Sequence, residues 1–156
     1  MDPAGLERLA FFGGLPRWAL ELLAGAAREE EVAAGRTVLH QHDRVRTVHF
    51  LVGGALQILV RVGDDDLLVG VLGGRGELVG WSAFRPPYRS TATVRCERPS
   101  RLVAVPAAAF EELFTRDPAL GYLLLGRVAA SVADRLEQTR ELLLTATAPG
   151  ATRERP

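Results

Sequence analysis

Between Thr37 and Val105 the chain never holds one apolar pattern for long, and that fragmentation most limits what it can fold into. Valine- and leucine-rich runs at Thr37–His40, Thr47–Val52, Ala55–Val62, Leu67–Leu72, Thr91–Cys96 and Arg101–Val105 are each of strand length. Gly53-Gly54 reads as a turn, Gly63-Asp64-Asp65-Asp66 as a hairpin loop, and Glu97-Arg98-Pro99-Ser100 as the link between the last two runs. Ala55–Val62 carries apolar residues near alternate positions, as a strand with one buried face does. Leu67–Leu72 is apolar almost throughout, which predicts a well-buried strand. Many short strands at close spacing predict an antiparallel barrel or jelly roll.

Helical periodicity frames this region. Leu6–Phe12 allows one or two helical turns before Gly13-Gly14 breaks the pattern. Pro16, suited to a first helical position, opens a helix expected to run to about Arg28. After Pro106, PAAAFEELFTRD predicts a short helix that ends before Pro118. Asp117 can cap the next helix, with Pro118 at its first position, and that helix should reach about Leu144. Leu125, Val128, Val132, Arg135, Thr139 and Leu142 recur along it at spacings of three and four. Such a stripe either packs on the chain's own roll or pairs with a second copy, and the helix's length favours a homodimer. The expected fold class is mainly β: an antiparallel, jelly-roll-like β-roll over about 29–105, N-terminal helices over about 6–28, and C-terminal helices over about 106–145. Residues 1–145 form one domain, and Ala146–Pro156, rich in proline, glycine and charge, is an expected disordered tail.

Composition narrows the function. With 19 basic and 19 acidic residues the formal net charge is zero, which opposes nucleic acid as the main partner. No apolar run approaches the about 20 residues of a membrane helix, and the N-terminus lacks a signal-peptide pattern. Cys96 is the one cysteine, so no internal disulfide can form, in keeping with a reducing, cytoplasmic setting. Its place in the alternating run TATVRC makes it a quiet strand thiol.

The chemistry concentrates in Gly73–Val94, GGRGELVGWSAFRPPYRSTATV. A glycine-rich turn leading into a helical turn presents successive backbone N–H groups, a natural anion seat. The same residues also make a tight inter-strand connection in which Trp81 anchors the core.

The order of elements, with AAGRTVLHQHDRVRTVHFLVGGALQIL, GRGELVGWSAF and STATV, resembles the cyclic nucleotide-binding domain of the Crp/Fnr regulators and of protein kinase A regulatory subunits. The resemblance covers about Leu6–Leu144. It implies a phosphate-binding cassette in which Gly76, Glu77 and Gly80 match the family pattern, with backbone donors around Gly80, Ser82 and Ala83. The family's glutamate, which accepts from the ribose 2′-hydroxyl, falls on Trp81, whose indole offers only a donor. The family's arginine, which pairs with the cyclic phosphate, falls on Ser90, beside Thr91 at the strand entry. Arg89 lies one position earlier and Arg85 four before that, and Arg89 is the candidate substitute. Trp81 then serves as a plug in the ribose space or as an aromatic platform. The resemblance therefore implies a stand-alone regulatory or sensing module with a nucleotide-like ligand, for which ordinary cAMP is poorly suited. A ligand-free dimerisation or protein-docking module is the other expectation. The Crp/Fnr regulators read DNA with a helix-turn-helix after the long helix, and the residues beyond Leu144 are too few for one.

Other constellations carry less. His40 and His42 form an H-x-H pair with His49 further on, but no carboxylate stands where a cupin-type site would place it, so no metal or other cofactor is expected. Ser82 lacks the second glycine of a hydrolase elbow, and Asp64, Asp65 and Asp66 read as a solvated hairpin tip. No catalytic residue is expected, and the chain reads as a non-enzyme.

Overall fold

The computed structural model describes residues 1–147. Helix α1 (Pro3–Glu7) is capped by Asp2, whose Oδ1 accepts from Gly5 N at 2.8 Å, and a 3-10 turn follows at Ala10–Phe12. Helix α2 spans Arg17–Ala26. Pro16 lies just outside it in extended geometry, and Arg28 opens strand β1 (Arg28–Val32), so the predicted helix is shorter at both ends. β1, REEEV, has no apolar alternation to mark it. It is an edge strand, where charge is favoured because it deters pairing with other chains.

The other strands are β2 (Thr37–Leu39), β3 (Thr47–Val62), β4 (Asp65–Leu72), β5 (Leu78–Val79) and β6 (Thr93–Pro106). They form one six-stranded sheet along the path β1-β6-β3-β4, with β2 on β6 and β5 on β3. The antiparallel pair β3 and β6, in register from Thr47↔Pro106 to Leu59↔Thr93, is its spine.

Two predicted turns are absent from that spine. Gly53-Gly54 lies inside β3 and Glu97–Ser100 inside β6, where the register shifts between Leu51 and Leu56 mark bulges. Glycine signals a bulge as readily as a turn. Here Gly54, at φ 110°, lets the strands close: a Cβ would stand 2.6 Å from Ser100 Cα. Ser100 Oγ accepts from Ala55 N at 3.2 Å at the same bend.

The hairpin between β3 and β4 needs only Gly63 and Asp64, because Val62 pairs with Asp65. Asp66, inside β4, is held by Arg61 at 2.8 Å and Arg95 at 3.3 Å rather than standing at a solvated tip. β4 is also less buried than its apolar run predicts: Leu67 is 53% and Leu68 42% exposed. It pairs with β3 alone, so much of its surface faces solvent.

Two apolar clusters support the roll. One is aromatic and joins the helices to the sheet, with Phe12 and Phe50 rings 4.6 Å apart and Phe84 and Phe110 5.2 Å apart. The other fills the roll with Leu51, Leu56, Leu72, Val79, Cys96 and Leu102. Burial there pushes the Cys96 thiol up, which keeps it unreactive.

Helix α3 (Ala107–Arg116) gives way to α4 (Pro118–Thr147) at Asp117, whose Oδ1 accepts from Ala119 N at 3.0 Å and Leu120 N at 3.1 Å. The expected cap is therefore present. Ala146 and Thr147, assigned to the tail by composition, close α4, and the rest of that expected tail lies outside the described residues. Leu124 and Val128 are buried, and Val132, Arg135 and Thr139 are half-buried toward the roll, while Leu125 turns outward at 42% exposed. Arg127 Nη1 donates to the Phe11 carbonyl at 2.7 Å, tying α4 to the N-terminal turn.

Candidate functional site: a cavity between the cassette and the long helix

The glycine turn is built by the backbone. Gly76, at φ 88°, donates its N–H to the Leu51 carbonyl at 2.7 Å, and Leu51 N donates to the Glu77 carbonyl at 2.9 Å. These bonds bring β5 onto β3, pairing Leu78 with Phe50 and Val79 with His49. The Glu77 carboxylate folds back over the turn, accepting from Gly73 N at 2.9 Å and from Gly74 N. Gly80 sits at φ 90°, where a Cβ would stand 3.0 Å from the Thr47 carbonyl oxygen. Both conformations are left-handed and favour glycine.

From Gly80 the chain enters a 3-10 turn at Trp81–Phe84, closed by Ala83 N donating to the Gly80 carbonyl at 3.0 Å. Ser82 and Ala83 are buried. The half-buried Trp81 ring packs on the aromatic core, with the Arg85 guanidinium 5.9 Å from its centroid. The connection then returns beside residues 42–45, where Arg44 and Arg89 form an isolated bridge. Arg89 is exposed and donates from Nη1 to the His42 carbonyl at 2.9 Å. Ser90 is 5% exposed and satisfies itself locally, donating to the Ala92 carbonyl at 2.6 Å.

A cavity of about 320 Å³ opens beside Trp81. Gly80, Trp81, Ser82, Ser90 and Thr91 stand on its cassette wall. Ile58, Val60, Val69, Ala92 and Val94 make its apolar sheet wall, and Val132, Arg135, Leu136 and Thr139 of α4 cover it. Five of the nine residues singled out from the sequence thus meet at one cavity. Gly76, Glu77, Ala83 and Arg89 are not on its wall: the first three shape the turn behind it, and Arg89 is engaged elsewhere. The indole forms part of the wall and leaves the cavity open.

Arg135 and Thr139 were not singled out as site residues. Their signal was visible as two polar interruptions in the α4 stripe. Thr139 Oγ1 donates to the Val69 carbonyl at 3.0 Å, which fastens α4 to β4. Arg135 reaches toward the Leu78 carbonyl, 3.5 Å from Nη2. Burial pulls the Arg135 guanidinium below its ordinary value, while Glu77 and Asp134 oppose that shift. It stays charged, because arginine does not deprotonate in proteins. Among the described residues it is the one charged side chain on the cavity wall.

Of the three histidines, His40 and His42 are exposed and His49 is buried within β3, beside Val79 of β5. His49 Nε2 stands 3.7 Å from a Glu30 oxygen, and burial lowers its pKa more than Glu30 raises it.

The comparisons with known proteins agree with this fold. The family profile described as "Cyclic nucleotide-binding domain" matches residues 29–117. A candidate cyclic nucleotide-binding protein from Geobacter metallireducens is similar in structure, with a TM-score of 0.77 at 25% identity, covering 87% of this chain and 98% of its own. A cyclic nucleotide-binding domain from Methylobacillus flagellatus superposes with a TM-score of 0.78 at 16% identity, over 94% of this chain and 85% of its own. The rat patatin-like phospholipase domain-containing protein 7 is 28% identical over 108 residues. That match takes in 69% of this chain but only 8% of the relative, so the chain spans a small part of the curated proteins it matches. With the profile covering more than half of the sequence and the fold shared over most of it, this chain belongs to the cyclic nucleotide-binding domain family.

Proposed function

We propose that this chain is a non-catalytic ligand-sensing module, in which a small molecule enters the cavity beside Trp81 and α4 carries the response to a partner. One observation carries the reading: the cavity is walled on one side by the cassette and on the other by α4, so anything that fills it touches both. A ligand that contacts both elements favours the state in which α4 is seated, and releases it when it leaves. Ordinary cAMP is a poor candidate. Trp81 cannot accept from a ribose hydroxyl, buried Ser90 offers no charge, and Arg89 bonds to His42 outside the cavity.

The test is thermal shift against cAMP, cGMP and cyclic dinucleotides, since a ligand of the folded state raises the melting temperature. A cyclic dinucleotide or other non-cAMP ligand should act where cAMP does not. The double change W81E with S90R should create or strengthen cAMP binding. If no nucleotide shifts melting at millimolar concentration, nucleotide sensing fails.

A second reading, a ligand-free dimerisation or docking module in the cytoplasm, is favoured by the outer face of α4. Leu125 is 42%, Leu143 57% and Leu144 71% exposed there, more apolar surface than a solvated helix needs. Sedimentation that gives a monomer at every concentration would end the homodimer.

A further inference from the structure

We infer that Arg135 of α4, rather than any cassette residue, holds the anionic group of this module's ligand, and that the ligand is a small, largely apolar molecule carrying one carboxylate or phosphate. The inference rests on the cavity being a ligand site, as proposed above. The cavity wall sets the chemistry. Ile58, Val69 and Val94 line the sheet side and Trp81 the cassette side, so the ligand's body must be apolar or flat. Arg135 supplies the one charge on that wall among the described residues.

The guanidinium is not already consumed. Among the described residues no carboxylate lies within ion-pair distance of it, and its one protein hydrogen bond, to Leu78, is long at 3.5 Å. Glu77, the nearest opposing charge in effect, has an oxygen committed to Gly73 and Gly74. A half-buried arginine with unfilled donors facing an apolar cavity is suited to an incoming anion, which it can bind with two parallel hydrogen bonds. Thr139, one turn further on, already pins α4 to β4. An anion on Arg135 would add a second pin at the same face, so ligand charge and helix seating become one event.

Calorimetry on the full chain with 1-naphthyl phosphate, 1-naphthoate and 1-naphthol tests this. One or both anions should bind, with the neutral alcohol weaker by about tenfold or more, and the better anion identifies the natural headgroup. R135Q should weaken the anions by about 10- to 100-fold, R135K by a smaller factor because it keeps the charge but loses the paired hydrogen bonds, and R89Q not at all. The arginine Nε–H resonance that disappears in R135K should move when the anion is added to the unaltered chain, a readout that stands even if R135Q does not fold. Equal binding of naphthol, an unmoved Arg135 resonance, or no binding of any probe at millimolar concentration overturns the inference. If a cyclic nucleotide binds equally well to R135Q, the cavity remains a ligand site and Arg135 loses its assigned role. If nucleotides and probes all fail, both proposals fall together.

Discussion

The two walls of the cavity are built on opposite principles. The cassette wall is set by backbone: Gly76 at φ 88° and Gly80 at φ 90° turn the chain in left-handed geometry, and at Gly80 a Cβ would crowd the Thr47 carbonyl. It brings no charged side chain to the cavity, and Trp81 and Ser90 stand where the family resemblance leads one to expect a glutamate and an arginine. The α4 wall has no motif at all, yet it brings the charge, through Arg135, and the clasp, through Thr139. The shape of the cavity is thus set by one element, while its one charged side chain among the described residues comes from another that is distant in sequence.

If that division holds, substitutions on the two walls should differ in kind. The largest effect should come from loosening α4 as a whole. Leu124 is fully buried, and Leu124→Ala should cost about 3 kcal/mol in urea unfolding. A loss under about 1 kcal/mol would mean that α4 is not part of the cooperative core. Next, Gly80→Ala should cost about 2 kcal/mol, because it combines a left-handed φ with a Cβ 3.0 Å from the Thr47 oxygen. An alanine tolerated there without cost would show that the cassette turn can relax and that its shape is not fixed by glycine.

A smaller effect should come from pH. His49 lies within β3, paired with Val79 of β5 and Ala104 of β6, and its pKa in the fold is lowered by burial. The unfolded chain then binds the proton more readily than the folded one below about pH 6.5. His49 therefore contributes stability above that value, and this is lost as pH falls toward its lower folded pKa. Urea midpoints of the unaltered chain and H49Q, compared at pH 7.5 and 5.5, should show a steeper acid loss in the unaltered chain. Parallel profiles would remove His49 from the account.

The smallest effect should be that of Arg135→Met on the ligand-free protein. The guanidinium has no ion-pair partner among the described residues and is partly desolvated, so its removal should leave stability within about 0.5 kcal/mol. A loss of 2 kcal/mol or more would make Arg135 a structural prop and sharpen the contrast in the other direction, returning ligand chemistry to the cassette.

Much of the fold was legible because local signals and tertiary needs coincide. Asp117-Pro118 marks a helix start by hydrogen bonding and φ alone, and it caps α4 as expected. The cassette glycines were legible for the same reason, since a positive φ leaves its mark on one residue. Gly53-Gly54 misled because a bulge and a turn ask for the same residue, and only the partner strand tells them apart: Ser100 stands where a Gly54 side chain would go. β1 was missed because an edge strand is defined by its neighbour β6, not by its own composition. Leu67–Leu72 looked buried because apolarity records affinity for a core and not the presence of one.

The sequence by itself determined the order of helices and roll and the glycines that shape the turn at 73–80. These are properties of single residues and short spacings. The tertiary structure alone decided which side of the chain each arginine serves. Arg89, adjacent to the cassette's last positions, turns outward to His42, while Arg135, 45 positions beyond Ser90, closes over the cavity. Backbone direction alternates with each residue near a strand, and a helix can return any of its faces to a distant site. Proximity in sequence therefore does not tell which guanidinium reaches the wall; packing places Arg135 there.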